Sequence, residues 1–201
     1  MRRTRVFLDA NVIVDAQVRD LFCRLAEAEL IDVRWSRLIL EEARRALVDK
    51  MGLDPNRVDR LIATLDQAFP EASVSGFEAL AEGLNLRDRE DHHVLAAAVH
   101  SECDLLVTFN IQDFPSSAFG NNDLLAISVD DAIGLMASWY GPRIGGVVDA
   151  LLAPLRRPTL TRVHRALVRA RADGRCPSRR SAGSRRLRGG RSADPGLSKR
   201  R

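Results

Sequence analysis

Two rhythms alternate along the first 140 residues of the chain. Val6-Phe7-Leu8 is a short unbroken apolar run that stops at Asp9, the pattern of a strand covered on both faces. The residues after Asn11 read as the start of a helix, and Val18, Leu21, Phe22 and Leu25 follow at helical spacing. Ile31 to Trp35 predicts a second strand, and Ser36 is placed to cap a helix over about 37–49. Val58, Leu61, Ile62, Leu65 and Phe69 mark an amphipathic helix that Pro70 ends. A short edge strand over 72–75, a short helix over 76–83 and a helix over 90–101 come next. The apolar stretch 104–109 predicts a strand, 110–123 a loop, and 126–129 a last short strand before a helix from Asp130 to near Tyr140. Pro142 suits the first turn of a helix to about Leu152, and Thr159 the cap of a terminal helix to about Ala172. There is no internal repeat. Strands that alternate with helices predict an α/β domain around a central, mostly parallel sheet.

Charge divides the chain. Of its 31 basic and 27 acidic residues, ten and one fall within 174–201, leaving 21 and 26 for the rest. The basic end is Arg, Gly, Ser and Pro with almost no apolar residues, too little to offset its ordering entropy, so it reads as a disordered tail. The boundaries expected are a domain over 1–130, C-terminal helices over 131–173 packed on it or extending it, and the tail over 174–201. No apolar run approaches the roughly 18 residues that span a bilayer. The segment before Asp9 is too poor in apolar residues for a signal-peptide core, and a cytoplasmic protein with no membrane partner is expected. Cys23, Cys103 and Cys176 are odd in number and far apart, which suits neither a disulfide framework nor a zinc site.

Asp9 carries the chemistry. It stands where a strand stops and a helix begins, the place at which open α/β sheets bind ligands. Further acids recur in comparable settings: Glu42, Asp91 and Asp113. Acids gathered at the mouth of one sheet suggest a divalent-metal site, because Mg2+ and Mn2+ prefer oxygen ligands. At about 100° per residue, Asp91 shares the apolar face of Val94, Leu95 and Ala98, whereas His92 and His93 are turned away from it. The same phase turns Glu42 inward and leaves Glu41 to solvent. Asn110 and Asp113 follow the strand expected beside the first one, where both residue types also suit turns.

Four segments now carry a resemblance. LDAN at 8–11, SRLILEE at 36–42, LRDREDHHVLAAA at 86–98 and VTFNIQDFP at 107–115 together resemble a PIN domain, over about residues 4–130. This is a family of metal-dependent ribonucleases that includes the VapC-type toxins of toxin–antitoxin pairs. The match is to the branch with TFNxxDFP. The resemblance implies a three-layer α/β/α fold, with Asp9, Glu42 and Asp91 as the main acids. Its fourth position falls on either Asn110 or Asp113. Asn11, Asp88 and Thr108 are implied as supporting residues.

The activity so implied is hydrolysis of RNA phosphodiester bonds, leaving a 3′-hydroxyl and a 5′-phosphate. One or two Mg2+ or Mn2+ ions would sit on Asp9 and Asp91, with Glu42 and Asp113 or Asn110 direct or through water. Basic residues should rim an acidic site and steer RNA, and Arg44, Arg45, Arg87 and Arg89 lie near enough in sequence. A toxin of this type implies a cognate antitoxin and a homodimer. An aspartyl-nucleophile phosphohydrolase would need a second Asp where this chain has Asn11. The other alternative is an inactive PIN-like module that binds RNA or protein.

Overall fold

Five parallel strands form one sheet in the order β3-β2-β1-β4-β5. The structure, a computed structural model, describes residues 2–82, 91–119, 122–141, 143–144 and 146–147. The strands are β1 (Thr4–Leu8), β2 (Ile31–Ser36), β3 (Ser73–Val74), β4 (Leu105–Thr108) and β5 (Leu125–Ser128). The helices are α1 (Ala10–Val14), α2 (Ala16–Glu27), α3 (Arg37–Arg45), α4 (Pro55–Ala68), α5 (Glu78–Glu82), α6 (His92–His100) and α7 (Val129–Tyr140). The chain builds outward from β1 through β2 to β3, then returns to the other side of β1 for β4 and β5. With the ordinary right-handed crossover, connections in opposite directions put their helices on opposite faces. The result is the expected α/β/α arrangement.

β4 is buried along its length and β1 over its last three residues. Val6, Phe7, Leu8, Leu106 and Val107 are sealed from solvent, as befits a parallel sheet covered on both faces. Phe22, Leu25, Ile39, Leu95 and Ile133 supply the helical side of the same core. The Tyr140 hydroxyl donates to the Leu30 carbonyl at 2.6 Å and ties the end of α7 to the turn before β2.

The sequence pattern places these elements to within a few residues. Two details differ from it. Asp15 interrupts the first helix and caps α2 through the N–H groups of Gln17 and Val18. The helix expected over 37–49 is α-helical to Arg45, then widens into a π-helical turn, Ala46–Lys50. The helices expected over 142–152 and 159–172 lie outside the described residues, apart from residues 143–144 and 146–147, and the 174–201 tail lies wholly outside them.

The topology also contains a switch point. The order reverses between β1 and β4, and such a switch point opens a crevice at the carboxyl ends of the strands. Asp9 and Thr108 stand at those two ends.

Candidate active site at the β1–β4 switch point

Asp9 is held from both neighbouring elements. Its own N–H donates to the Val107 carbonyl at 3.1 Å, so the backbone stays tied to β4 one residue past the end of β1. As the N-cap of α1, its Oδ1 accepts the Ala10 N–H at 2.6 Å. Its Oδ2 accepts the Asn11 amide at 2.7 Å and the Thr108 hydroxyl at 2.6 Å. Three donors occupy three of the roughly four lone-pair sites of a carboxylate, which leaves one for a ligand.

Thr108 and Asn11 complete one network. The Thr108 hydroxyl gives its proton to Asp9 and accepts from the Asn11 amide at 3.1 Å and the Asn110 N–H at 3.0 Å. One donor and two lone pairs are all that a hydroxyl has, so Thr108, wholly buried, is fully satisfied. The Asn11 carbonyl oxygen accepts the Phe109 N–H at 3.1 Å, which fixes the amide with its NH2 toward the acid. Both residues support Asp9 through direct hydrogen bonds.

Burial raises the Asp9 carboxyl above its ordinary range; only 8% of the residue is exposed. The negative charge of Glu42 pushes in the same direction, against the lowering effect of the bonds from Thr108, Ala10 and Asn11. Asp9 and Glu42 thus act on each other, although 33 positions apart in the chain. The Ser36 hydroxyl accepts the Ile39 N–H at 3.2 Å and sets the start of α3, which presents Glu42 on its half-buried side. Glu41, the adjacent acid, turns out to solvent and pairs with Arg37 at 2.9 Å.

The second partner of Glu42 was not legible in the sequence. His93 Nε2 lies 2.8 Å from Glu42 Oε1, with the His93 side chain only 16% exposed. Helical phase turned His93 away from the apolar face, yet the direction it takes leads to α3 and not to water. His92 is directed elsewhere: its Nδ1 lies 3.1 Å from the Ala81 carbonyl and joins α6 to α5.

The remaining candidates are more dispersed. Asp91 occupies the N-cap position of α6 and is half-buried, but its side chain makes no capping hydrogen bond. Asn110 and Asp113 are both exposed, Asp113 on a 3-10 turn (Ile111–Asp113) just past β4. Asp88, Arg87 and Arg89 lie outside the described residues. Arg44 gives its charge to Asp59 of α4, at 2.5 Å, and that bond raises the guanidinium pKa still further. Arg45 is exposed.

Among the described residues, no three His, Cys, Asp or Glu side chains form a metal cluster. The expected four-acid ligand set of Asp9, Glu42, Asp91 and Asp113 is therefore not drawn together as one group. Carboxylates repel at short range, Glu42 takes a histidine partner, and Asp113 sits on the exposed side of its turn. The Asp9–Glu42 pair does fit a hard cation, since Mg2+ takes one or two carboxylates and keeps several waters. It lacks the thiolate and imidazole ligands of a structural zinc site.

The PIN domain family model matches residues 5–112, more than half of the 201-residue chain. The chain belongs to the PIN domain family. Its fold is that of a nuclease-type domain, and the matched span contains Asp9, Asn11, Glu42, Asp91, His93, Thr108 and Asn110 but stops short of Asp113. No curated protein matches the chain.

Proposed function

We propose that this PIN domain is a Mg2+- or Mn2+-dependent ribonuclease that hydrolyses RNA phosphodiester bonds, and that it is the toxin of a type II toxin–antitoxin pair of VapC type. The observation that carries the nuclease activity is the buried Asp9 carboxylate, held by three donors at the switch point and set against Glu42. Burial, with the negative charge of Glu42 added to it, disfavours ionisation of Asp9. A bound cation would reverse that balance.

Asp9 and Glu42 would hold the ion, with Asp91 at the start of α6 and Asn110 or Asp113 past β4 as further contacts direct or through water. A divalent ion held there would activate water and polarise the phosphoryl oxygen. Thr108 and Asn11 keep Asp9 in one orientation, which limits reorganisation during reaction. Arg45, exposed at the end of α3, would attract the RNA backbone. The choice of RNA, the antitoxin and a homodimer rest on the LDAN, SRLILEE, LRDREDHHVLAAA and TFNxxDFP segments. The alternative, an inactive module that binds RNA or protein, is favoured by Asn110, which brings no negative charge where an acid would.

The ends of the products test the proposal. Cutting of a labelled RNA that requires divalent metal and leaves 3′-hydroxyl and 5′-phosphate ends supports hydrolysis by a water at this site. Cyclic 2′,3′-phosphate ends, which arise when the RNA's own 2′-hydroxyl attacks, would overturn it.

A further inference from the structure

We propose that His93 is a positioning residue that orients Glu42, fixing one carboxylate oxygen and leaving the other to face a bound cation. The inference rests on the nuclease function proposed above. It starts from a contact between two helices 51 positions apart in sequence: His93 Nε2, in the first turn of α6, lies 2.8 Å from Glu42 Oε1 on α3.

A carboxylate only accepts, so the proton on this bond belongs to Nε2. Nδ1 takes no part in this bond. Nδ1 is buried, with no hydrogen-bond partner among the described residues. A buried polar atom without a partner costs stability, so the ring is not placed here for its own satisfaction. Its polar contact is made through Nε2 to Glu42.

Glu42 needs such a restraint. A glutamate at a helix surface has several rotamers, and ordering it costs entropy. Asp9 is locked by three hydrogen bonds, whereas His93 is the hydrogen-bond partner of Glu42. Ligating carboxylates are commonly fixed by an outer hydrogen bond, and its loss typically weakens metal binding about 10- to 100-fold. His93 would stand in that relation to Glu42.

The test is Mn2+ titration calorimetry on the full chain, with RNA cleavage and thermal unfolding measured alongside. His93→Ala should weaken Mn2+ binding about 10- to 100-fold and slow cleavage, while the protein stays folded. His93→Gln should recover much of the loss, because its amide N–H can reach the position of Nε2. In a Glu42→Gln background, His93→Ala should add little. Wild-type Mn2+ affinity in folded His93→Ala, or effects that simply add to those of Glu42→Gln, would overturn the proposal. Failure of the nuclease function itself would show differently, as a wild-type chain that neither binds Mn2+ nor cuts RNA. Nitrogen NMR of the imidazole then decides the contact alone: an Nε2–H signal that shifts in Glu42→Ala supports it, and an unchanged signal rules it out.

Discussion

The Thr108 hydroxyl donates to Asp9 Oδ2 at 2.6 Å and joins the carboxyl ends of β1 and β4 through side chains. Because Thr108 is wholly buried, its loss cannot be made good by solvent. Thr108→Val keeps the shape but removes the donor to Asp9 and the acceptor for Asn11 and Asn110. It should destabilise the fold by about 1–3 kcal/mol. The Asp9 carboxyl should also titrate at higher pH than in the wild type, since the bond from Thr108 lowers it. Thermal unfolding and carboxyl NMR check the two effects, and an unmoved Asp9 titration would contradict the role given to Thr108.

Asp9 should leave a signature in the pH dependence of stability. Its carboxyl is raised above the ordinary 3.8 by burial and by Glu42. The folded protein therefore binds this proton more tightly than the unfolded chain does. The favourable contribution is complete below the unfolded value and is lost as pH rises through the raised folded value. In metal-free protein, Asp9→Asn should flatten that part of the curve. Denaturant unfolding from pH 3 upward checks it; identical slopes in the two proteins would show that Asp9 ionises without penalty.

Adjacent glutamates should differ in effect. Glu41 is paired with Arg37 at an exposed position, where such pairs are worth little, so Glu41→Gln should be nearly silent in activity and stability. Glu42→Gln removes the charge next to Asp9, and should reduce cleavage at least 10-fold if it removes a metal contact. Equal effects of the two changes on cleavage kinetics would refute the orientation of α3.

The arginines should separate by salt dependence. Arg44 already serves Asp59, whereas Arg45 is exposed beside it. If it touches one phosphate, Arg45→Ala should lower the slope of log affinity against log salt by about 1, and Arg44→Ala should change it less. Fluorescence titration with inactive Asp9→Ala protein, across salt concentrations, measures both.

The centre of the sheet was legible in the sequence because β4 and the end of β1 are buried and read as unbroken apolar runs. The position of Asp9 was legible because the apolar run of β1 stops at it and a helix begins after it. Glu42 could be told from Glu41 because α3 has one apolar face, and phase decides between neighbours. His93 escaped the same argument. Phase identifies the side of a helix that packs on the core, but the side of α6 that carries His93 is met by Glu42 on another helix, and no periodicity within α6 encodes that. The π-helical turn at Ala46–Lys50 was equally hidden, since it changes hydrogen bonding without interrupting the pattern of apolar residues. Thr108 was expected as support from its motif; the structure adds that all of its hydrogen-bonding capacity is used.

The proposed ribonuclease activity depends on Asp9, held at the switch point by Thr108, Asn11 and Ala10. The most direct test is incubation of a mixed RNA pool with the purified full chain in Mg2+, Mn2+ or EDTA, beside an Asp9→Ala control shown to be folded. Cutting that needs metal and disappears in Asp9→Ala is the predicted result. Cutting that survives EDTA or the Asp9→Ala change, or intact RNA with folded, metal-supplied wild-type protein, would contradict it.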